Sequence, residues 1–493
     1  MKYKVLGIVM MVVMIAAATA AAMFDHGDQG RSRVYQHLSE ETWDAECGCN
    51  QEGLCTHLPL VVIDTKGQEI PGVPTGERDS FNEEIYTLAE DGRSVIDVEI
   101  SVIDNQTGNN HLTDSPAFTS KTEFRIRGHA SRHFEKSPYK LNFVNEDGSN
   151  RDISVMGMDA HHEWILNGPY LDKSLVRNYI WYNIAGSMME YAPDVRFCEV
   201  ILDGDYRGLY LMAESITNGE DGRLNLMESV KDTNVSGYLV RIDRPNDEEL
   251  NAVRNINSHA ERMFYLRGDI SIRYPGQANL TQELADKIER DLSEFEKALY
   301  SYDYDTHDYG YWNWIDVDNF IDYFLINELS RNVDAGRYST YLYKEPGEKY
   351  KLCVWDFNNA CDNFPDDQIS PEGFAMHERL WYFMLFKDEE FVLKILDRYE
   401  ELRKTWFSEE FLYGLIDDTI AWLGPAVERN NLRWAEYIEN GDPLIPAERN
   451  VYSQEEAVDQ LKDWLGRRID WLDAHIDVLQ QYSHPSRNKT YNH

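Results

Sequence analysis

Residues Asn327 to Asn363 read NELSRNVDAGRYSTYLYKEPGEKYKLCVWDFNNACDN, and this stretch decides the fold. Its start completes a run of apolar residues at helical spacing, which predicts a helix over Val317 to Arg331. Two apolar runs follow, Tyr338 to Lys344 and Tyr350 to Trp355, and a Pro-Gly pair separates them. The stretch therefore predicts a helix, a loop and a two-stranded hairpin in succession.

Two aspartates in this stretch stand at the ends of the predicted elements. Asp334 lies in the Gly-containing loop before the first strand, and Asp356 ends the second strand. A hairpin would bring the two loops close together. Phosphoryl transfer from ATP uses such a pair, because one carboxylate takes the proton of the acceptor hydroxyl while the other holds Mg²⁺. Alternatively, both aspartates terminate strands and accept backbone hydrogen bonds.

The sequence upstream of this stretch predicts a β-rich section. Apolar alternation and β-branched runs, separated by Gly, Pro, Asn and Asp, predict strands at Leu58 to Asp64, Ser94 to Asp104, Thr122 to Gly128 and Tyr139 to Val144. No internal repeat is visible in the chain. The front of the protein is therefore expected to be built from strands and turns.

A helix and a hairpin follow the β-rich section. Apolar residues at helical spacing predict a helix over Asp172 to Met189. Asp203-Gly204-Asp205 then separates the apolar runs Arg196 to Leu202 and Gly208 to Ala213, which is a strong hairpin signal. Asp388 to Tyr482 is patterned as mostly helical.

These patterns predict an α+β protein with two lobes, the first β-rich and the second largely helical. The predicted organisation is a signal peptide or membrane anchor at 1–24, a polar linker with a cysteine cluster at 25–56, one domain at 57–482 and a polar tail at 483–493. Within the domain, residues 57–245 form the β-rich lobe and residues 246–482 the mostly helical lobe.

Composition excludes one class of partner. The chain has 493 residues and a formal net charge of -39, so its average surface repels nucleic acid and anionic lipid. Lys2 and Lys4 precede an uncharged run that ends in small residues, as in a secretory signal peptide. The run is also long enough for an uncleaved membrane anchor, which would be the only membrane contact. Either way, the rest of the chain is expected outside the cytoplasm, secreted or at the cell surface.

Three cysteines lie close together in the predicted linker. Cys47, Cys49 and Cys55 precede His57, a set that could form a Cys₃His zinc site, although its spacing matches no established zinc motif. Disulfide pairing and idle thiols are the alternatives.

Other enzyme classes lack their sequence signals. The chain has no G-x-S-x-G elbow, no H-E-x-x-H, no Walker P-loop and no G-x-G-x-x-G. No motif supports the interpretation of the chain as a secreted hydrolase with paired carboxylates. A non-catalytic binding protein is the stronger rival, because 12 tryptophans and 30 tyrosines leave room for an aromatic binding face.

Four ordered motifs over roughly residues 57 to 365 resemble the spore-coat CotH kinases. The motif segments are Arg125 to Phe143 (RIRGHASRHFEKSPYKLNF), Trp164 to Met188, Phe197 to Glu214 (FCEVILDGDYRGLYLMAE) and Asn332 to Phe357. The resemblance implies a two-lobed protein-kinase-like fold. It also implies transfer of the ATP γ-phosphate to Ser or Thr of an exported protein, with Mg²⁺ or Mn²⁺ as the metal.

The same resemblance gives roles to the acidic residues. Asp334 takes the position of the catalytic aspartate and Asp356 that of the metal-binding aspartate. Ser339 stands where protein kinases have an Asn that binds a second metal, and Asn358 stands where many relatives have Asp. These departures make a pseudokinase conceivable, that is, a non-catalytic envelope or spore-coat type protein that binds a partner or a glycan.

The nucleotide is expected to contact basic and glycine residues. By the resemblance, Arg127 and Gly128 form a turn over the ATP phosphates, and Lys136 is the phosphate-contacting lysine, with Lys140 as the alternative. Glu214, at the end of a hairpin strand, resembles the segment that leads to an adenine-contacting hinge in kinases, which would make it part of the ATP site; a solvated strand end is the alternative.

Asp172 and Arg177 have two open interpretations. They contribute to the nucleotide site, or they pair with each other as a clamp on the first helix.

Overall fold

The structure is a computed structural model that describes residues 33–38, 47–49, 53–78, 84–105, 108–219, 222–230, 233–244, 255–256 and 269–489. Its strands are β1 Cys55–Thr56, β2 Leu60–Asp64, β3 Pro74–Arg78, β4 Glu84–Tyr86, β5 Ile96–Ile103, β6 Asn110–His111, β7 Phe118–Ile126, β8 Tyr139–Val144, β9 Ile153–Val155, β10 Met158–His161, β11 Glu163–Asn167, β12 Val195–Leu202, β13 Asp205–Glu214, β14 Tyr238–Asp243, β15 Asn255–Ile256, β16 Asp269–Tyr274, β17 Thr340–Lys344 and β18 Lys351–Cys353. Its helices are α1 Arg177–Met188, α2 Gln282–Leu299, α3 Val317–Ser330, α4 Tyr382–Leu385, α5 Glu389–Arg403, α6 Glu409–Leu423, α7 Pro425–Arg433, α8 Ala435–Asn440 and α9 Gln454–His475.

The N-terminal part of the protein is a closed barrel. Its strand order is β11-β13-β12-β2-β5-β7-β8, and β8 pairs with β11 to close it. The neighbours are antiparallel except β12 and β2, which run parallel. Asp203 and Gly204 both have positive φ at the β12–β13 turn, as a two-residue hairpin requires.

Alternating apolar side chains fill the barrel. In β5, Ile96, Val98, Ile100 and Val102 are buried and belong to the barrel core. The residues between them point outward, because successive side chains of a strand lie on opposite faces. The same alternation places Tyr139 and the other odd-numbered residues of β8 inside the barrel and the even-numbered ones on its outer face.

A second sheet, of order β15-β16-β14-β17-β18, carries the loops that follow α3 and β18. Strand β14 lies at its centre, between β16 and β17. The main hydrophobic core joins this sheet to α1, to the helices of the C-terminal part and to outward-facing barrel residues such as Ile165 and Leu211. Helix α3 lies deep in this core, since all of its residues except Asp318 are buried.

The fold confirms the predicted α+β class, with a β-rich N-terminal part and a helical C-terminal part. The predicted boundary between the lobes lay at residues 245 and 246. Strand β14, however, begins at Tyr238 and pairs with β16 and β17, which come later in the chain, so the second sheet begins before that boundary. The signal segment 1–24 lies outside the described residues. Among the helices that the structure describes, none combines the length and the apolar character needed to cross a membrane.

A buried ion pair fixes α3 against α9. Arg468 and Glu328 are 0% and 1% exposed, and their Nη2 and Oε1 atoms are 2.6 Å apart. Arg468 also donates to the carbonyls of Pro371 and Gly373, each at 2.8 Å. Since α3 leads directly into the Asp334 loop, this pair fixes the approach to that loop.

Arg468→Ala is expected to destabilise the protein by about 3–5 kcal/mol, because it leaves the Glu328 carboxylate buried without its partner. Arg467→Ala is the matched control, because Arg467 is exposed and its pair with Asp463 lies on the surface. Its effect should be about 1 kcal/mol or less. Chemical denaturation of both variants measures the difference, and equal losses of stability would contradict this interpretation.

Candidate active site

Asp356 follows β18 in a loop that α1 holds in place. Its backbone is left-handed, with φ of 53°. The Asp356 N–H donates to the Tyr182 hydroxyl at 3.0 Å, and the N–H of Phe357 donates to Asn178 Oδ1 at 2.8 Å. Two side chains of one buried helix therefore set the position of this loop.

The Asp334 loop follows α3 and closes on itself. The Asp334 carbonyl accepts the N–H groups of Arg337 and Tyr338 at 2.9 and 2.8 Å. Arg379 Nη1 donates to the carbonyls of Asn332 and Ala335 at 2.8 and 2.9 Å. The loop has no regular secondary structure, and these hydrogen bonds supply partners for its buried backbone carbonyls.

The structure brings the two loops together. Asn332 Nδ2 donates to the Asp356 carbonyl at 3.1 Å. The pKa of Asp356 is raised, first by burial and then by the negative charge of Asp334, while the charge of Arg127 opposes the rise. Asp334 in turn lies 3.5 Å from Arg244 Nη2. The two carboxylates thus lie in each other's electrostatic field, beside two arginines.

The outer face of the barrel supplies basic side chains to this site. The Arg127 guanidinium lies 5.6 Å from the centre of the Trp355 ring, next to Asp356 in the chain. Arg125 pairs across the strands with Lys140, and both side chains lie on the outer face. A row of three basic side chains, Arg127, Arg125 and Lys140, therefore extends from Asp356 along the barrel, with Glu163 beside Lys140.

The turn after Arg127 requires glycine. Gly128 has φ of 102°, a conformation that other residues rarely adopt. A Cβ at this position would also collide with the Ser131 hydroxyl. The backbone therefore turns sharply beside Arg127, into the 3₁₀ helix Ala130–His133.

Comparison with known families agrees with this geometry. A family model described as CotH kinase protein matches residues 124–472, from the barrel strand β7 to the last turn of α9. The chain belongs to the CotH kinase family. No curated protein matches the chain. Family membership suggests a kinase, and the matched segment contains both loops and the basic barrel face.

In this CotH protein, Lys136 lies apart from the two carboxylates. It is 1% exposed, and its Nζ donates to Asn430 Oδ1 of α7 at 2.8 Å. Its pKa is lowered by burial, and the charges that act on it are those of Asp172 and Arg207. Lys136 thus joins the barrel to α7, whereas the predicted alternative, Lys140, lies on the outer barrel face.

Two further residues predicted for the site, Glu214 and Ser339, lie at or next to the ends of strands. The Glu214 side chain is fully buried, and its Oε2 accepts the N–H of Asp194 at 2.9 Å, so it holds the start of β12. Ser339 immediately precedes β17 and has a left-handed backbone, with φ of 49°. It is only partly buried, after the Asp334 loop in the chain.

Asp172 and Arg177 form an ion pair with each other, as in the predicted clamp on the first helix. Their Oδ1 and Nη1 atoms are 2.5 Å apart, and both side chains are buried. Arg177 also donates to the carbonyls of Ala360 and Cys361 at 3.0 and 3.3 Å. The clamp therefore joins the start of α1 to the loop that carries Asp356.

Several residues of the site escaped the sequence analysis. Tyr182 matched the apolar pattern of α1, so its hydroxyl gave no separate signal. Arg244 pairs with Asp334, and the charge of Asp243 contributes to the raised pKa of Asp356. The sequence Arg241-Ile242-Asp243-Arg244 could have pointed to them, because charged residues alternate with a buried one at the end of a strand.

Asp356→Asn is expected to stabilise the metal-free protein at neutral pH. The raised pKa of Asp356 in the folded state means that folding stability falls as pH rises through that pKa. Asparagine does not ionise and escapes this loss. Below the ordinary aspartate pKa of about 3.9 the carboxyl is neutral in both states, and the advantage disappears.

Thermal unfolding of the two proteins across this pH range measures the effect. Asp366→Asn serves as the control, because Asp366 is exposed in the loop beyond Asp356. An advantage of Asp356→Asn that grows as pH falls would contradict the assignment.

Proposed function

We propose that this CotH family protein transfers the γ-phosphoryl group of ATP to a serine or threonine of another protein, using Mg²⁺ or Mn²⁺. The oxygen of the acceptor hydroxyl forms a bond to the γ-phosphorus, the bond from that phosphorus to the bridging oxygen breaks, and ADP leaves. The observation that carries the proposal is the pair of carboxylates, Asp334 and Asp356, held together beside a row of basic side chains.

The two aspartates have different surroundings, which suits two roles. Asp334 lies in a partly exposed loop, with a side chain 17% exposed, and can receive the proton of an acceptor hydroxyl. Asp356 is anchored by its N–H, which donates to the Tyr182 hydroxyl of α1, as a group that holds a metal should be. Positioning and charge neutralisation carry most of the catalysis in phosphoryl transfer.

The residues present fit a divalent cation. The mutual repulsion of Asp334 and Asp356 is relieved when positive charge lies between them. Asn332 Oδ1 is buried and accepts no hydrogen bond from the residues that the structure describes, so an oxygen suited to Mg²⁺ or its water lies in the same loop. When bound, Mg²⁺ neutralises the charge that develops on the phosphates.

The outer barrel face would bind the phosphates. Arg127 and Lys140 supply positive charge there, and Gly128 lets the backbone approach the nucleotide. Lys140 lies 3.6 Å from Glu163, a pairing that orients its ammonium group. The barrel and the helical part then act as the two lobes of a kinase-like arrangement, with ATP between them.

Two departures from the kinase pattern favour a site with one principal metal. Ser339 offers a hydroxyl, a weaker ligand than an amide oxygen, for a second cation. Asn358 Oδ1 accepts a hydrogen bond from Asn178 at 2.9 Å, so this side chain supports the loop. Asp356 is thus the principal metal ligand of the proposal.

The acceptor is proposed to be an exported or cell-surface protein. The basis is the N-terminal segment 1–24, whose charged start and uncharged run have the pattern of an export signal. The strongly acidic composition argues against a nucleic-acid partner.

Asp334→Asn is expected to lower kcat for phosphate transfer by about 10²–10⁴-fold, because it removes the proton acceptor. Asp356→Asn should abolish metal-dependent nucleotide binding as well as transfer. Radiolabelled phosphate incorporation into exported proteins, together with calorimetric titration of ATP and Mg²⁺, separates the two effects. Asp366→Asn is the control and should keep wild-type activity.

Folded Asp334 and Asp356 variants that both retain wild-type transfer would overturn the proposal. Absence of metal-dependent ATP binding in the wild-type protein would favour the non-catalytic alternative.

Lys140→Met is expected to raise KM for ATP by about tenfold or more, because it removes a charged hydrogen bond to phosphate. Lys136→Met should leave KM unchanged and alter thermal stability instead, since Lys136 bonds to Asn430 in a buried position. Steady-state kinetics and thermal unfolding of both variants test the assignment. A raised KM in Lys136→Met alone would identify Lys136 as the phosphate-binding lysine.

A further inference from the structure

Four potential metal ligands converge around the short β1–β6 sheet, which is separate from the barrel. They are Cys47, Cys49, Cys55 and His111, and their sulfur and nitrogen atoms all lie within 4.8 Å of one another. All three cysteines are in the thiol form and partly buried. Strands β1 and β6 bring two of the ligands together, because Cys55 and His111 are directly paired across them.

The spacing of the cluster suits zinc. In a tetrahedral Cys₃His site, with Zn–S of about 2.3 Å and Zn–N of about 2.0 Å, a sulfur and the nitrogen lie about 3.5 Å apart. Cys47 Sγ and His111 Nε2 are 3.5 Å apart in this protein. Three sulfurs and one imidazole nitrogen are also the donors that zinc prefers in structural sites.

A second layer of side chains orients these ligands. His111 Nδ1 lies 3.1 Å from Asp114 Oδ2, which also accepts the N–H of His111 at 2.9 Å. Asn105 Nδ2 donates to the same oxygen at 2.8 Å. A carboxylate on Nδ1 keeps the proton there and leaves the Nε2 lone pair free for a metal, the usual arrangement around zinc-bound histidine. Asn109 likewise donates to Cys55 Sγ at 3.1 Å.

His57, which follows the cysteines in sequence, is not part of this cluster. Its ring packs edge-on against Trp422, with ring centres 4.9 Å apart. The fourth ligand comes instead from β6, far along the chain from the three cysteines. No sequence motif contains this combination, which is why the spacing of the cysteines alone gave no decision among zinc, disulfide and idle thiols.

We propose that Cys47, Cys49, Cys55 and His111 form a structural zinc site. A disulfide would join two of the sulfurs and leave the third beside an oriented imidazole, whereas zinc uses all four groups. The metal would link residues 47–49 to β1 and β6, which are only two residues long. Strands this short need support from other contacts.

A described segment that precedes the cysteines in the chain contacts α1, the helix that holds Asp356. Residues 33–38 precede the cysteines and pack on α1, where Arg33 Nε donates to Asn183 Oδ1 at 2.9 Å and the His37 N–H donates to the Tyr179 hydroxyl at 3.1 Å. Helix α1 in turn holds Asp356 through Tyr182. Zinc would thus hold residues 47–49, which follow this segment in the chain, against β1 and β6.

Zinc content of the full-length protein tests the proposal without ATP or any acceptor, so its result is independent of the proposed kinase activity. The protein, purified under reducing conditions, is incubated with ZnCl₂, desalted and analysed by mass spectrometry for metal. One tightly held zinc ion per chain is expected. In the wild-type protein, Co²⁺ in place of zinc should give the intense visible and near-ultraviolet absorption of tetrahedral thiolate coordination.

Variants distinguish ligands from neighbours. Cys49→Ser and His111→Gln should lose stoichiometric zinc, and Asp114→Asn should weaken zinc affinity by about 10–100-fold. His133→Gln is the matched control, because His133 is an exposed histidine outside the cluster, in the 3₁₀ helix Ala130–His133, and pairs with Glu84. It should bind zinc as the wild type does.

Three results would overturn the proposal. One is reduced wild-type protein that takes up no zinc and gives no tetrahedral cobalt spectrum. Another is His111→Gln with wild-type zinc affinity. The third is a disulfide among the three cysteines in protein isolated from zinc-containing medium without reductant.

Discussion

The repulsion between the carboxylates of Asp334 and Asp356 is the constraint on which the candidate active site depends. Each lies at the end of a different element, one after the buried helix α3 and one after β18. Asn332 joins the two loops through the Asp356 carbonyl, and the pKa of Asp356 is raised first by burial and then by the charge of Asp334. A fold that keeps two like charges together, with arginines beside them, is suited to hold a cation and a polyanion at that point.

Buried arginines provide much of the rigidity that this arrangement needs. Arg177, Arg379 and Arg468 each donate to backbone carbonyls of loops that have no regular partner. A guanidinium carries several donors in a fixed plane, so one side chain can bind two loop carbonyls and a carboxylate together. Arg177 does so with Asp172 and two carbonyls beyond Asp356, and Arg379 binds two carbonyls of the Asp334 loop. Arg177, at the start of α1, and Arg379, after the 3₁₀ helix Met376–Glu378, thereby fix the two loops that contain the reactive groups.

The sequence predicted the features that depend on neighbouring residues. The Asp203-Gly204 turn, α3, the hairpin after it and the two loop aspartates all follow from local patterns. The sequence did not predict contacts between distant segments, such as the parallel pairing of β12 with β2 and the closure of the barrel by β8 and β11. Lys136 illustrates the limit, because only the packing of α7 shows that its ammonium is buried against Asn430. Whether Ser339 binds a metal remains a prediction from the kinase pattern.

The most direct measurement is anomalous diffraction from crystals grown with Mn²⁺ and a non-hydrolysable ATP analogue. A manganese peak is expected at coordination distance, about 2.1 Å, from a carboxylate oxygen of Asp356. The γ-phosphate should lie between that metal and Asp334, with the phosphates against the barrel face that carries Arg127 and Lys140. Manganese at another part of the protein, or a nucleotide bound away from both aspartates, would contradict the account.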